Sequence, residues 1–220
     1  MTKILAFTGS SRKDSYNIKL VKIAAIGAES AGAKATLVDL ADYPMPVYNQ
    51  DLEQKKGMPE NARKFKNLMI ESDAFLIASP EYNSSFSPLL ENTIDWASRA
   101  ESPNEASLAA YYGKVAAIMS ASPGGLGGLR GLVFLRMLLS NIGVTVLPGQ
   151  QTVSHASKSF ESDGSLLDEK KQKAVLNLGI KLAETVKKLK GEQRHDTKRA
   201  EKARPWSFQV YCFEIKFSLT

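Results

Sequence analysis

The chain has 220 residues, a length that suits one α/β domain with a well-buried core. Hydrophobic residues make up 43% of it, which excludes a disordered chain, and no apolar stretch approaches the ~20 residues of a membrane span. The net charge is +6, but half of this excess lies in residues 194–220, where six Lys or Arg accompany three acidic residues, so the charge does not by itself indicate a nucleic-acid surface.

Strands and helices alternate along the chain. Short apolar runs bounded by turn residues predict strands, and apolar residues at helical spacing predict helices. In chain order we predict a strand at 3–8, a helix at 17–31, a strand at 34–40, a long loop at 43–59, a helix at 59–72, a strand at 73–79, a helix at 88–100, a strand at 113–122, a glycine-rich turn at 123–131, a helix at 132–143, a strand at 144–149 and a final helix at 166–190 ended by Gly191.

Five strand–helix repeats predict an α/β fold in which helices cover both faces of a parallel sheet. Five strands favour a flavodoxin-like three-layer sandwich with strand order 2-1-3-4-5. This domain spans residues 1–191. Residues 192–220 do not extend the pattern, and we interpret them as an atypical basic tail: a flexible segment, an added edge strand or a non-native end. Ligands bind beyond the carboxyl ends of such strands, so the loops after strands 1, 3 and 4 are candidate sites.

Residue types that build disulfides and metal sites are scarce. Cys212 is the only cysteine, and His155 and His195 are the only histidines. No intrachain disulfide can form, and we expect no metal site. The sequence contains neither H-E-x-x-H nor G-x-x-x-x-G-K-[ST]. The first apolar run ends at Gly9, too early for a signal peptide, so we expect a cytoplasmic protein without a membrane or nucleic-acid partner.

The loop after the first strand, "GSSRKDSYN", predicts a phosphate site. Gly9 permits a tight exit from the strand, and a helix with free N–H groups follows directly. Hydroxyl, guanidinium and amide groups come from Ser10, Ser11, Arg12, Ser15 and Asn17. Together with the helix N-terminus they suit a phosphate monoester. The alternative is an ordinary capped helix start, for which Ser15 alone would suffice.

Two further loops carry unusual residues. In "SPEYNSSFSP", Pro80 fixes the chain as it leaves the third strand, and the amides near Glu81, Tyr82 and Asn83 can face a planar heterocycle. Glu81 can alternatively cap a neighbouring helix or form a subunit contact. In "SASPGGLGGLRG", four glycines remove side chains where a flat ligand can lie, whereas a plain turn needs only one or two.

These loops resemble those of the NADPH-dependent FMN reductase family, flavodoxin-like enzymes that include quinone, azo-dye and chromate reductases. "GSSRKDSYN" is similar to the family's G-S-x-R-x-x-S-x-N phosphate loop. "PEYNSSFSPLLENTIDWASR" resembles its P-E-Y-N loop and N-x-I-D-W helix, and "SPGGLGGLRG" resembles its S-x-G-x-x-G-G-x-R turn. The similarity covers about residues 1–190.

The resemblance implies FMN bound without a covalent link. By motif position, the 5′-phosphate is held by Ser10, Arg12, Ser15 and Asn17, the isoalloxazine edge is lined by Pro80, Glu81, Tyr82 and Asn83, and the ring or ribityl chain is flanked by Ser120, Ser122 and Gly124. We predict no catalytic side chain, because the flavin carries the chemistry.

The resemblance also implies NADPH as co-substrate and a ping-pong cycle that ends on a small-molecule acceptor: a quinone, a free flavin, an azo compound or a metal oxyanion. It further implies a homodimer or homotetramer. Two alternatives remain open at this point. One is a flavodoxin-like electron carrier that binds FMN without NADPH turnover, although such carriers are typically acidic and this chain is basic. The other is a flavin-binding regulatory protein.

Overall fold

The computed structural model describes residues 1–200, with side chains described as far as residue 191. Within these residues the strands are β1 (Lys3–Thr8), β2 (Lys34–Asp39), β3 (Ala74–Ala78), β4 (Val115–Ala121), β5 (Thr145–Val146) and β6 (Gln151–Val153), and the α-helices are α1 (Tyr16–Ser30), α2 (Gln50–Lys56), α3 (Glu60–Glu71), α4 (Pro88–Ser98), α5 (Leu129–Asn141) and α6 (Glu169–Ala200).

The strands form one parallel sheet in the order β2-β1-β3-β4-β5, and β6 pairs with the carboxyl-terminal part of β4. The register places Thr8 beside Ala78 and Ala78 beside Met119. The carboxyl ends of β1, β3 and β4 therefore meet at one edge. The predicted strand order and the flavodoxin-like fold class are confirmed.

Helices cover both faces of the sheet, because side chains alternate in direction along each buried strand. Ile4 and Ala6 of β1 belong to a core shared with α1 and α6. Leu5 and Phe7 face the other way, into a core shared with α3, α4 and α5. These are the three predicted layers, and they fix the edge where the loops after β1, β3 and β4 come together.

The two helices on the first face touch backbone to backbone. A Cβ atom at Gly27 of α1 would lie 2.0 Å from the carbonyl oxygen of Leu176, and one at Gly179 of α6 would lie 1.8 Å from that of Ala24. No real Cβ atom tolerates such distances. Glycine at both positions lets α6 lie closer to α1 than any side chain would allow.

The fifth strand differs from its prediction. The segment 144–149 is not one strand, because β5 ends at Val146 and β6 resumes at Gln151. Leu147 still donates its N–H to the Ala116 carbonyl (2.8 Å), but Pro148 has no N–H to continue the ladder. The prediction of a single continuous strand is wrong, while its position beside β4 is right.

Two other element boundaries were predicted wrongly. The segment 43–59 contains α2, whose N-cap Asn49 accepts a hydrogen bond from the Leu52 N–H (2.9 Å). This helix buries none of its residues, so no apolar periodicity marks it. Helix α5 begins at Leu129 instead of 132, because Gly128 adopts a left-handed conformation (φ 88°) and serves as its N-cap.

The final helix continues through Gly191 to Ala200, so its predicted end is also wrong. A glycine inside a helix costs only about 1 kcal/mol, which a long helix tolerates. Met1–Lys187 forms one unit and the residues from Lys188 onward a second. Residues 201–220 lie outside the described part, and the domain boundary at 191 stays a prediction. None of the helices described combines the length and apolar character that a bilayer crossing needs.

Candidate functional site

A cavity of about 330 Å³ opens at the edge where β1, β3 and β4 end. Segments 10–17, 80–82 and 121–123 all contribute to its lining. The predicted site residues that line it are Ser10, Arg12, Ser15, Asn17, Pro80, Glu81, Tyr82 and Ser122, joined by Tyr16, Ala121 and Pro123, which the sequence did not single out. The three loops chosen from sequence thus form one site.

The wall formed by the β1–α1 loop suits an anion. Ser15 is the N-cap of α1, and its Oγ accepts a hydrogen bond from the Asn17 N–H (3.2 Å). Ser10 is buried, and its Oγ accepts from the Arg12 N–H (3.4 Å). The first turn of α1 carries no acidic residue, so no carboxylate within the helix offsets the positive end of its dipole.

The Arg12 side chain is held in place before any ligand arrives. Its Nη2 donates to the Asp14 carbonyl (2.8 Å), and its Cζ lies 4.9 Å from the Tyr16 ring centroid. Tyr16 in turn stacks on Phe160, with ring centroids 5.8 Å apart and an interplanar angle of 11°. Tyr16 escaped the sequence analysis because its partner lies far along the chain.

Gly9 and Ser11 lie beside the cavity and do not line it. A Cβ at Gly9 would meet Ser87 Oγ at 2.6 Å and Leu90 Cβ at 2.9 Å. Ser87 Oγ also donates to the Gly9 carbonyl. Gly9 therefore lets the start of α4 pack against the end of β1, while Ser11 is exposed.

The β3–α4 loop makes a tight hairpin. Tyr82 and Ser85 exchange two backbone hydrogen bonds, of 2.9 and 3.0 Å. Between them, Asn83 (φ 50°) and Ser84 (φ 70°) both adopt positive φ, the pattern of a type I′ turn. Asparagine is among the few residues that tolerate this conformation. Asn83 thus shapes the turn outside the cavity lining, and the turn leaves the Tyr82 ring 53% exposed beside the cavity.

Glu81 turns its carboxylate away toward α5. It accepts from Arg130 Nε (2.9 Å), from Arg130 Nη2 (2.6 Å) and from the Gly131 N–H (3.1 Å). Burial acts to raise the pKa of Glu81, but the hydrogen bonds from Gly131 and Arg130 together outweigh it, and the pKa is lowered. The side chain of Glu81 therefore caps α5, which is the alternative that the sequence left open.

Replacing Glu81 with glutamine should destabilise the protein by about 1 kcal/mol at neutral pH, because glutamine keeps an acceptor for Gly131 but loses the charge that Arg130 contacts. Because the pKa of Glu81 is lowered in the folded protein, its carboxylate stabilises the fold at pH values above the unfolded-state pKa of about 4.3. This stabilisation is lost as the pH falls through the folded-state pKa. Urea unfolding should therefore show a difference in the free energy of unfolding between wild type and Glu81→Gln at pH ~7, and this difference should disappear below pH ~4. Glu184→Gln, at an exposed position on α6, is the control and should show no such difference.

The β4–α5 loop divides its predicted residues. Ser122 lines the cavity, and its Oγ accepts from the Gly124 N–H (3.3 Å). Gly124 itself is exposed outside the lining. Ser120 is fully buried, and its Oγ has no hydrogen-bond partner among the described residues. This hydroxyl packs against Gly128, where a Cβ would approach it to 1.8 Å, so Ser120 lies behind the cavity wall.

Asn17 is predicted to hold the phosphate, but in the structure its side chain is hydrogen-bonded to the backbone of β4. Its Nδ2 donates to the Ala121 carbonyl, and its Oδ1 accepts from the Ala121 N–H, both at 2.9 Å. Asn17 is 3% exposed. The amide therefore connects the β1–α1 loop with the end of β4, two of the three segments that line the cavity.

Comparison with known proteins decides the family. The sequence profile of a family described as NADPH-dependent FMN reductase matches residues 2–158. The chain belongs to the NADPH-dependent FMN reductase family. An NAD(P)H-dependent FMN reductase of Pseudomonas aeruginosa is 35% identical over 191 residues, 86% of this chain and 97% of the relative. An NAD(P)H:quinone oxidoreductase of Solanum tuberosum is 34% identical over 86% of this chain and 95% of its own.

Solved structures agree with this membership of the NADPH-dependent FMN reductase family. FerB, a flavoenzyme NAD(P)H:(acceptor) oxidoreductase from Paracoccus denitrificans, is 30% identical with a TM-score of 0.69, covering 86% of this chain and 98% of FerB. An archaeal flavodoxin, 15% identical with a TM-score of 0.55 over 85% of this chain and 99% of its own, shares the fold. The chain is thus a flavodoxin-like oxidoreductase with FMN as cofactor and NADPH as co-substrate.

The cavity residues fit FMN chemically. One end offers a guanidinium, two serine hydroxyls and a helix N-terminus without an acid, which is the donor set that a phosphate monoester requires. The other end offers Pro80, Pro123 and the exposed ring of Tyr82, which suit a flat heterocycle. The roles of individual residues toward FMN remain predictions.

Proposed function

We propose that this protein is a NADPH-dependent quinone reductase that uses non-covalently bound FMN and works by a ping-pong cycle. The observation that carries the proposal is that one cavity joins an anion cradle, formed by Ser10, Arg12, Ser15 and the N-terminus of α1, to Pro80, Pro123 and the exposed Tyr82. Membership of the NADPH-dependent FMN reductase family supports the cofactor and the co-substrate. Quinone is the acceptor of choice because relatives at 31–34% identity are named quinone oxidoreductases.

The residues of the cavity bind and orient. Arg12 supplies a cation already held by Tyr16, and Ser10 and Ser15 supply hydroxyl groups, so the phosphate meets a preorganised site. FMN, when bound, supplies the hydride-transfer chemistry. In segment 80–82 the backbone N–H of Glu81 would be the donor able to stabilise negative charge on the bound cofactor, because Pro80 has no N–H and Tyr82 donates its own to the Ser85 carbonyl. No general acid or base is assigned, since Glu81, the carboxylate that lines the cavity, is engaged by Arg130 and Gly131.

We propose ping-pong order because NADPH and the acceptor would both reach the cofactor through the opening of this one cavity. NADPH and the acceptor have to use the same space in turn, which is the space beside Tyr82. An initial-rate study with NADPH and 1,4-benzoquinone tests this directly. Parallel double-reciprocal lines at several quinone concentrations support the proposal, and intersecting lines contradict the cycle. Protein that stays colourless with added FMN, or binds FMN without oxidising NADPH, contradicts the proposed function and favours an electron carrier or a regulatory protein instead.

We also propose that the protein self-associates through α5. Leu129, Val133 and Met137 recur every four residues on this helix and are all exposed, which forms an apolar stripe suited to a second copy of the same surface. Family members are usually dimers or tetramers, which supports this choice of partner. The cytoplasmic location expected from the sequence stays a prediction.

Val133→Glu should convert the oligomer into a monomer, because it places a charge in the centre of the apolar stripe. Sedimentation velocity measures the change. The matched control is Ile26→Glu on α1, an equally exposed apolar position away from α5, which should leave the oligomer intact. A wild-type chain that sediments as a monomer, or a Val133→Glu chain that sediments like wild type, contradicts the proposal.

A further inference from the structure

At the cavity, strand β4 extends further than its neighbour β3. Ser79 donates its N–H to the Met119 carbonyl (3.0 Å), and the next residue, Pro80, has no N–H and takes its chain out of the sheet. Backbone groups two residues apart point to the same side of a strand. The N–H and C=O of Ala121 therefore face the side that β3 has left.

The Asn17 side chain occupies this position. Its planar amide places its oxygen and one of its two N–H donors on Ala121, both at 2.9 Å. The amide thus takes the place of a neighbouring strand. It pairs the N–H and C=O of Ala121, which would otherwise be buried without hydrogen-bond partners. Asparagine suits this task at neutral pH, whereas an ionised aspartate has no proton to donate to the Ala121 carbonyl.

The same residue is also tied to the anion cradle. Asn17 is the second residue of α1, and its backbone N–H donates to Ser15 Oγ (3.2 Å). Ser15 lines the cavity from the β1–α1 loop, while Ala121 and Ser122 line it from the end of β4 and the loop that follows. Asn17 is therefore joined to the cradle through the chain and to the wall at 121–123 through two hydrogen bonds.

We propose that Asn17 is a positioning residue that fixes the distance between the phosphate cradle and the wall at 121–123, and that this role, rather than contact with the phosphate, sets its contribution to flavin binding. The proposal rests on the proposed use of FMN. It differs from the role that the sequence motif implies for this asparagine. Holding two walls at the correct separation spares the ligand the free energy of ordering them.

Riboflavin, which lacks the phosphate, separates a positioning role from a ligand role. Asn17→Leu removes both hydrogen bonds to Ala121 at similar side-chain volume. We expect it to weaken the binding of FMN and of riboflavin alike, by about tenfold each, as measured by quenching of flavin fluorescence in the flavin-free full-length protein. Arg12→Ala is the matched comparison, because the Arg12 guanidinium acts on the phosphate: it should weaken FMN binding by a far larger factor than riboflavin binding.

Asn17→Asp provides a rescue by pH. A protonated carboxyl group has the same donor and acceptor pattern as the amide, whereas the carboxylate places a second negative oxygen against the Ala121 carbonyl. Burial favours the neutral form and raises the pKa of the introduced group, so its function should be present at low pH and lost as pH rises through that value. Riboflavin affinity relative to wild type should therefore be about tenfold weaker at pH ~8 and close to wild type at pH ~5.

The outcomes are distinct. If Asn17→Leu weakens FMN but not riboflavin, Asn17 acts on the phosphate and the inference is overturned. If Asn17→Asp binds riboflavin with wild-type affinity at both pH values, or shows no recovery at low pH, it is overturned as well. The thermal midpoint of each flavin-free variant confirms that the titrated protein is folded. Wild-type protein that binds neither flavin contradicts the proposed function itself, independently of Asn17.

Discussion

Replacing Arg12 and Ser15 together with alanine is expected to weaken FMN binding by at least about a hundredfold. The change removes the guanidinium that Tyr16 and the Asp14 carbonyl hold at the cavity, and the hydroxyl that caps α1. A hydrogen bond to a charged group contributes about 1.5–3 kcal/mol, and two such losses reach the stated size. Fluorescence titration of the flavin-free protein measures it.

Ser11→Ala is the matched control for this double variant. Ser11 belongs to the same loop but is exposed outside the cavity lining, so its loss should leave FMN affinity unchanged. Loss of the N-cap alone costs about 1 kcal/mol of stability, so the double variant should remain folded at room temperature. A double variant that holds FMN as firmly as wild type would remove the basis of the proposed site.

The substitution Gly179→Ala is expected to lower the free energy of unfolding by about 3 kcal/mol or more. A methyl group there meets the carbonyl oxygen of Ala24 at 1.8 Å and the N atom of Ala28 at 2.9 Å, both of them backbone atoms that cannot rotate away. The helices α1 and α6 would have to separate, which opens the core on that face. Urea unfolding followed by far-UV circular dichroism measures the effect.

Gly191→Ala is the control on the same helix. Among the described residues, no atom outside its own helix backbone and chain neighbours lies within 4 Å of a Cβ at this position. Alanine is the better helix former, so Gly191→Ala should change stability by less than about 1 kcal/mol and in the opposite direction. A small gain in stability at Gly179, like the one expected at Gly191, would show that helix propensity, and not the contact with α1, decides the result.

Most of the fold was predictable because its signals are local. Strand β3 is apolar throughout and β1 and β4 are nearly so, and the alternation with helices leaves few topologies for a parallel sheet. The errors fall where tertiary contacts or capping decide. Helix α2 has a cap but no buried face, and the break at Pro148 depends on pairing with β4. Neither feature carries a periodic pattern.

The site was predictable to the level of its loops. Parallel strands bring their carboxyl ends to one edge, so unusual residues after β1, β3 and β4 had to meet. The direction of each side chain was not predictable. The Asn17 amide turns to Ala121, and the Glu81 carboxylate turns to Arg130 and Gly131. Each of these contacts joins residues far apart in the chain, and no spacing within a loop specifies it.

Because the chain is interrupted at Pro148 and Gly149, the strands at the β5 and β6 edge of the sheet are short. β5 pairs through two residues and β6 through three, and both are already engaged with β4. Long, flat margins act as templates on which strands of other molecules add, the first stage of fibril growth. This margin offers little backbone for such growth. At this edge, contact between copies is therefore left to helix surfaces, where geometry limits the number of molecules that can join.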